Sequence, residues 1–276
     1  MRSFLELTKP RITWLILMST GIGFWAGIAT GWELMVLVHT LVGTGLLASG
    51  TAVLNQWYER DTDAKMHRTQ GRPLPTGRVS PSQALVFGVL LAAAGFLELW
   101  LGANPLTALL GLATLGSYLL VYTPLKRISP ICTTVGAVPG AMPPLIGYAA
   151  ASGMLDLRAW ALYAILFLWQ FPHFLAIARI YREDYARGGL AMLPPGESAA
   201  WQILLSSLLL IPMSLASGLL ASQGVLYLAG ALVLGVAYFG VAARASRDLT
   251  RLRARQLLLA SVAYLPLLYT FMLLDK

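Results

Sequence analysis

Between two long apolar runs, residues 55–78 read NQWYERDTDAKMHRTQGRPLPTGR, with three acids (Glu59, Asp61, Asp63) and five bases (Arg60, Lys65, Arg68, Arg72, Arg78). A connection that only joined two buried helices would need none of the acids. Asn55, Glu59 and Asp63 are spaced i, i+4, i+8, so a helix continuing through them sets all three on one face, each about 6 Å beyond the last. Asp61 points elsewhere unless the helix end unwinds. Carboxylates this close repel and raise one another's pKa unless a cation joins them. Such oxygen ligands suit Mg²⁺, which takes one or two carboxylates and completes its shell with waters and phosphate oxygens.

A second acidic pair, Glu183 and Asp184, follows a later apolar run. Bases accompany both groups: Arg68, Arg72 and Arg78 in the first loop, Lys126 and Arg127 after the fourth run, and Arg182 beside the second pair. Guanidinium and ammonium groups placed this way clamp phosphates. Acids alone suggest a cation transporter, whereas acids at Mg²⁺ spacing with convergent bases suggest a diphosphate. The competing reading is a solvated loop laced by salt bridges, in which any single Arg is a topology anchor.

Of the three histidines, His67 lies in the charged loop, while His39 and His173 fall inside apolar runs, where an ionisable residue is a functional candidate. His39, in the outer half of its run, reads as hydrogen-bonded packing. His173 sits in LWQFPHF beside Pro172, within a turn of Trp169 and Gln170. A neutral imidazole there suits iron ligation or polarising a substrate, with packing as the alternative. Tyr122, Tyr181 and further aromatic residues near the charged ends would shield a carbocation by cation–π attraction, or form an ordinary interfacial belt.

The elements that must position these residues follow from composition. The 276 residues are 57% hydrophobic and 12% charged, against roughly 25% charged in soluble domains. Apolar runs of about 20 residues, each enough for a spanning helix, recur at 12–30, 34–57, 82–101, 104–122, 131–151, 157–180, 201–221, 224–243 and 256–274. The expected fold is therefore an all-α membrane protein of nine transmembrane helices. The runs are continuous rather than alternating, which excludes a β-barrel. Arg11 beside the first run, and the spans that follow it, mark that run as a first span rather than a cleaved signal.

All of the 20 Lys and Arg residues except Arg158 and Lys276 fall in one alternating set of connections. The positive-inside rule places that set and the N-terminus in the cytoplasm, and the C-terminus outside. The same distribution accounts for the basic pI without nucleic acid. Eight of the twelve acids also lie on that side, where charge sorting does not call for them. The two acidic groups stand four spans apart, which suggests that spans 1–4 and 5–8 repeat within a single integral-membrane domain covering 1–276. Pro139, Pro143 and Pro144 make the fifth span a poor straight helix. Cys132 alone permits no disulfide and no cysteine-built metal site.

At these residues the chain resembles the UbiA superfamily of intramembrane prenyltransferases. The likeness rests on TKPRITWL, on NQWYERDTDAKMHRTQGRPLPTGRVSP, on YTPLKR followed by VGAVPGAMPPLIGY, and on LWQFPHFLAIARIYREDYARGGLAMLP. The last stretch is similar to the branch that acts on haem rather than on quinone precursors or chlorophyllide. The resemblance implies Mg²⁺ held by a first motif at Asn55, Glu59 and Asp63, with Asp61 as an additional acid, and by a second at Glu183 and Asp184. Glutamate here replaces the family's first aspartate, leaving open whether Glu59 or Asp61 joins Asp63. The resemblance also implies Arg68, Arg72, Lys126, Arg127 and Arg182 at the diphosphate, and His173, Trp169, Gln170, Tyr122 and Tyr181 at the haem and prenyl groups. The implied reaction couples farnesyl diphosphate to haem b in the inner (plasma) membrane, with active-site loops on the cytoplasmic side and a haem A synthase downstream. A quinone-precursor or chlorophyllide enzyme is the first rival. A secondary transporter is the second, opposed by the absence of acids from the middle of any span.

Overall fold

The structure, a computed structural model, describes residues 2–28 and 34–275. In chain order the helices are α1 (Arg2–Leu7), α2 (Pro10–Gly27), α3 (Leu34–Asp63), α4 (Pro81–Gly102), α5 (Pro105–Leu125), α6 (Cys132–Gly140), α7 (Met142–Ser152), α8 (Leu157–Ile180), α9 (Arg182–Arg187), α10 (Ser198–Leu220), α11 (Val225–Arg247) and α12 (Arg251–Leu274). No strand occurs among the described residues. Seven of these helices, α3, α4, α5, α8, α10, α11 and α12, are long and apolar enough to cross a membrane. The expected first and fifth spans correspond to α2 and to the broken pair α6–α7. Residues 29–30 of the first span, the connection 31–33 and Lys276 lie outside the described residues.

Helix ends follow local chemistry. Ser80 accepts the Gln83 N–H (3.3 Å) and donates its own N–H to Gln83 Oε1 (3.1 Å), a capping box ahead of Pro81. Asp156 caps α8 by accepting the N–H groups of Arg158 (2.9 Å) and Ala159 (3.2 Å), donors that a helix start otherwise leaves without partners. The fifth span breaks at Ala141 because Pro143 and Pro144 lack the N–H groups that would bond the carbonyls of Pro139 and Gly140. In α5 a π-helical segment, Ser117–Tyr122, precedes Pro124. Proline's ring crowds the carbonyl four residues back, so the helix widens there, and Thr123 bonds Tyr118 O through both its N–H and its hydroxyl (2.8 Å).

Two close approaches fix the inner helices. A Cβ on Gly50 of α3 would stand 2.6 Å from the Ala92 nitrogen of α4, and one on Gly147 of α7 would run into the Thr20 carbonyl of α2. Small residues at such crossings let membrane helices pack backbone against backbone. The largest buried cluster, including Leu145, Ile165, Leu210, Leu257 and Leu268, ties α7 and α8 to α10, α11 and α12. Leu101, Leu120 and Val225 are largely exposed on the outer faces, as expected of surface that a bilayer covers.

Candidate active site at the charged end of the bundle

The first acidic group lies on an unbroken helix, since α3 runs through to Asp63. Asn55, Glu59 and Asp63 share a buried face, with Glu59 8% and Asp63 2% exposed. The Asp61 side chain is 80% exposed, and its one ionic neighbour among the described residues is Arg60 (3.9 Å). A helix that does not unwind turns the i+2 position away, so the structure brings Glu59, and not Asp61, together with Asp63.

Bases meet these acids from three elements. Lys126, at the end of α5, places Nζ 2.6 Å from Glu59 Oε1 and 4.8 Å from the centre of the Tyr122 ring. Arg72 donates to Asp63 Oδ2 (2.7 Å) from the loop after α3, which is drawn back by the Thr69 hydroxyl on Asp63 O (2.8 Å). Lys9, between α1 and α2, donates to Asn55 Oδ1 (3.4 Å). The Asn55 amide donates to Glu59 Oε2 (2.9 Å) and to Thr123 Oγ1 (3.3 Å), so the widened turn of α5 completes the arrangement. Burial, reinforced by Arg72 and Lys126, pushes the Lys9 pKa down to about 7. An arriving anion would restore its charge.

In the sequence alone Lys9 is one of the N-terminal basic residues that set the topology. Its backbone is left-handed (φ 50°), a conformation that disfavours a residue with a Cβ by about 1–2 kcal/mol. Such an outlier beside buried polar groups is a mark of a functional position. The α1 helix that precedes it is anchored by Gln56, which donates to Leu7 O (2.7 Å), and by Arg78 on Glu6 (2.9 Å).

The second acidic group behaves differently. Asp184 accepts the backbone N–H groups of His67 (3.0 Å) and Arg68 (3.3 Å) and the guanidinium of Arg187. Arg187, with help from those backbone donors, holds its carboxyl below the usual carboxylate range against the opposing effect of burial. Arg68 stacks over Tyr181 (4.7 Å) and Tyr185 (5.7 Å). Arg127 reaches the Thr62 hydroxyl on the rim. Glu183 and Arg182 face outward and are not brought into the group.

On α8, Gln170 donates to Ala137 O (3.2 Å) and packs on Gly140, lining the break between α6 and α7. His173 turns toward α12, stacks on Trp169 (4.6 Å) and places Nδ1 2.8 Å from Ser261 Oγ. The Ser261 hydroxyl gives its one proton to Leu258 O (2.6 Å), so it accepts at His173 and Nδ1 carries the ring proton. Nε2 then keeps its lone pair, and it has no hydrogen-bond partner among the described residues. His39, at the far end of the bundle, pairs with Glu98 (2.8 Å).

Directly below the acids lies a cavity of about 160 Å³ bounded by α2, α3, α5, α6 and α7, with Lys9, Tyr118 and Pro139 among its lining residues. Its wall is mostly apolar, and of its four lining threonines Thr44 has a buried hydroxyl without a hydrogen-bond partner among the described residues. The hydroxyls of Thr13, Thr51 and Thr114 bond carbonyls of their own segments at 2.7–3.0 Å and leave their methyl groups to the cavity. At about 30 Å³ of liquid volume per water, such a space holds about five waters.

No group of three or more His, Cys, Asp or Glu residues among those described is placed to hold a metal. The donor set is two buried carboxylates and an amide oxygen, which fits Mg²⁺, an ion that takes few protein ligands and completes its shell with phosphate oxygens and water. Three basic side chains face these two carboxylates. A trianionic diphosphate together with Mg²⁺ would bring the group close to neutrality, as buried charges require.

The sequence model of the UbiA prenyltransferase family matches residues 14–272. A protein named protoheme IX farnesyltransferase from Solibacter usitatus is 57% identical, over 100% of this chain and 99% of its own length. One of the same name from Koribacter versatilis is 47% identical, over 100% of this chain and 94% of its own. Among solved structures, one described as digeranylgeranylglyceryl phosphate synthase superposes with a TM-score of 0.84 at 15% identity, over 99% of this chain and 97% of that one. A UbiA homolog from Aeropyrum pernix K1 gives 0.75 at 20% identity, over 94% and 97%. One from Archaeoglobus fulgidus, bound to GPP and Mg²⁺, gives 0.68 at 16% identity, over 98% and 99%.

Proposed function

Because the chain belongs to the UbiA prenyltransferase family, we propose that it transfers the farnesyl group of farnesyl diphosphate to a vinyl group of haem b, giving haem O and diphosphate on the way to the haem A of cytochrome oxidase. The observation that carries the chemistry is the buried Asn55–Glu59–Asp63 face, met by three basic side chains above an apolar cavity. The names of the relatives point to haem as the acceptor.

Glu59, Asp63 and the Asn55 oxygen would hold Mg²⁺, which when bound would offset the charge collecting on the departing diphosphate. Lys9, Arg72 and Lys126 bind diphosphate oxygens, with Arg68 and Arg127 on the rim. Asp184 acts through the loop that it anchors. Asp61, Glu183 and Arg182 remain in solvent, outside the ligand set. The bond from farnesyl C1 to oxygen breaks and its electron pair leaves on diphosphate. The vinyl β-carbon bonds to C1, positive charge passes to the α-carbon beside the macrocycle, and water adds there with loss of a proton. Tyr118 and Tyr122 offer ring faces to the allylic charge. The apolar wall keeps water from C1 until the acceptor has reacted. His173, braced by Trp169 and Ser261, turns the Nε2 lone pair to the haem iron, and Tyr181 and Gln170 border the substrate space.

The Lys/Arg distribution supports a cytoplasmic position for this end of the bundle, in the plasma membrane. The chain forms one domain, with the two acidic groups at corresponding places in its halves, and hands its product to a haem A synthase. The test is purified protein with Mg²⁺, farnesyl diphosphate and haem b. The expected product is a haem heavier by one farnesyl group and one hydroxyl group, lost on adding EDTA and reduced at least tenfold in His173→Ala. No haem product, with 4-hydroxybenzoate or chlorophyllide prenylated instead, would overturn the acceptor.

A further inference from the structure

The cavity under the acids has a floor as well as a mouth. Of the lining residues, Thr44 and Leu47 of α3, Gly111 of α5 and Ile146 of α7 lie farthest along their helices from the acids, and Thr44, Leu47 and Ile146 are all buried. From Asn55 to Thr44 is eleven residues of one helix, about 16 Å along its axis. Carbon–carbon bonds of about 1.5 Å, set in a zigzag, make a three-isoprene chain about 14 Å long from C1 to its end. Two isoprenes on the same scale reach about 9 Å and four reach about 19 Å. With the diphosphate carbon held beside Asn55, only the four-isoprene chain runs past the floor, and the two-isoprene chain leaves nearly half of the depth empty.

Packing behind the floor holds it at that depth. Leu47 cannot recede, because a Cβ on Gly95 of α4 would already lie 2.5 Å from the Leu47 nitrogen. On its other side a Cβ on Gly111 would lie 2.6 Å from Leu47 Cδ2 and 3.2 Å from Leu99 Cδ1. Any side chain at residue 111 therefore has to displace the Leu47 side chain, which lines the cavity. Interiors packed this closely do not absorb even one methyl group without displacement.

We propose that Leu47, Gly111 and Ile146, with Thr44, form a floor that selects a prenyl chain of three isoprene units. The inference rests on the cavity being the prenyl site of the reaction above and adds what sets the chain length. Two kinds of variant move the floor in opposite directions. Leu47→Ala and Ile146→Ala lower it, and Gly111→Ala raises it.

The test is calorimetric binding of geranyl, farnesyl and geranylgeranyl diphosphate with Mg²⁺ and no acceptor, followed by turnover with haem b for each. Wild-type protein is expected to favour the farnesyl compound. Leu47→Ala or Ile146→Ala should raise geranylgeranyl over farnesyl preference at least about tenfold, since one methylene in a fitted pocket is already worth that much. Gly111→Ala should raise geranyl over farnesyl preference by a similar factor. Opposite shifts cannot both come from loss of folding. Unchanged binding preference in all three variants would overturn the floor. Length-selective binding that shifts as described, without any haem product from wild-type protein, would support the floor and overturn the haem acceptor.

Discussion

Asp63 and Asp184 are both buried carboxylates at the charged end of the bundle, each with an arginine partner, yet their remaining contacts are of different kinds. Asp63 meets Arg72 by a side-chain pair, and Glu59 beside it meets Lys126 in the same way. Long basic side chains can swing from a carboxylate to an incoming phosphate without moving the backbone. Asp184 instead holds the N–H groups of His67 and Arg68, which cannot leave unless the loop after α3 comes undone. A carboxylate able to change partners is suited to bind a ligand. One that closes a loop is suited to keep Arg68 and Arg72 over the ligand.

Substitutions that separate these two uses should differ in size and in kind. Asp63→Asn keeps the shape and removes the charge, and it should lower kcat/KM about 10²–10³-fold, as the loss of one preorganised electrostatic group at a reacting centre does. Equal activity of this variant and wild type in a product assay would break the comparison at its strongest point. Lys9→Met comes next. Losing a charge-assisted contact to the diphosphate, worth about 1.5–3 kcal/mol, should raise the farnesyl diphosphate KM about 10–100-fold with a smaller change in kcat.

Asp184→Asn should cost activity no more than about tenfold, while lowering Tm by roughly 5 °C through the loosened loop. Its pH dependence has a definite sign. The folded-state pKa of Asp184 is depressed, so its stabilisation is fully present above the unfolded value near 3.9 and is lost as pH falls through the lower folded value. The difference in stability between wild type and Asp184→Asn should therefore be constant near neutrality and vanish in strong acid. A difference that persisted there would point to shape rather than charge. Asp61→Ala should be the smallest effect, within about twofold of wild type in kcat/KM, as for a solvated surface charge. A loss matching Asp63→Asn would return Asp61 to the ligand set.

Much of this comparison was legible in the chain. Hydropathy located the long helices, although α3 runs six residues past its apolar run and α12 starts five residues before its own, and Pro143 with Pro144 marked the break between α6 and α7. The i, i+4, i+8 spacing gave the buried face of α3 and turned Asp61 off it, provided that the helix did not unwind. The partners were not legible. Lys9 reaches Asn55 across 46 positions, and its role depends on a left-handed turn that spacing does not announce. Asp184 and Glu183 look alike as adjacent acids. Only tertiary contact with the loop at 67–68 separates the anchored one from the exposed one. The widened turn before Pro124, which carries Thr123 to Asn55, likewise becomes visible only when α3 and α5 are packed together.

The central claim is that the Asn55–Asp63 face, and not Asp184, holds the divalent metal with the diphosphate. Electron paramagnetic resonance of Mn²⁺, titrated in place of Mg²⁺ with and without farnesyl diphosphate, tests it in wild-type, Asp63→Asn and Asp184→Asn protein. The account predicts diphosphate-dependent Mn²⁺ binding in wild type and Asp184→Asn and its loss in Asp63→Asn. Binding that survives Asp63→Asn and disappears in Asp184→Asn would contradict it.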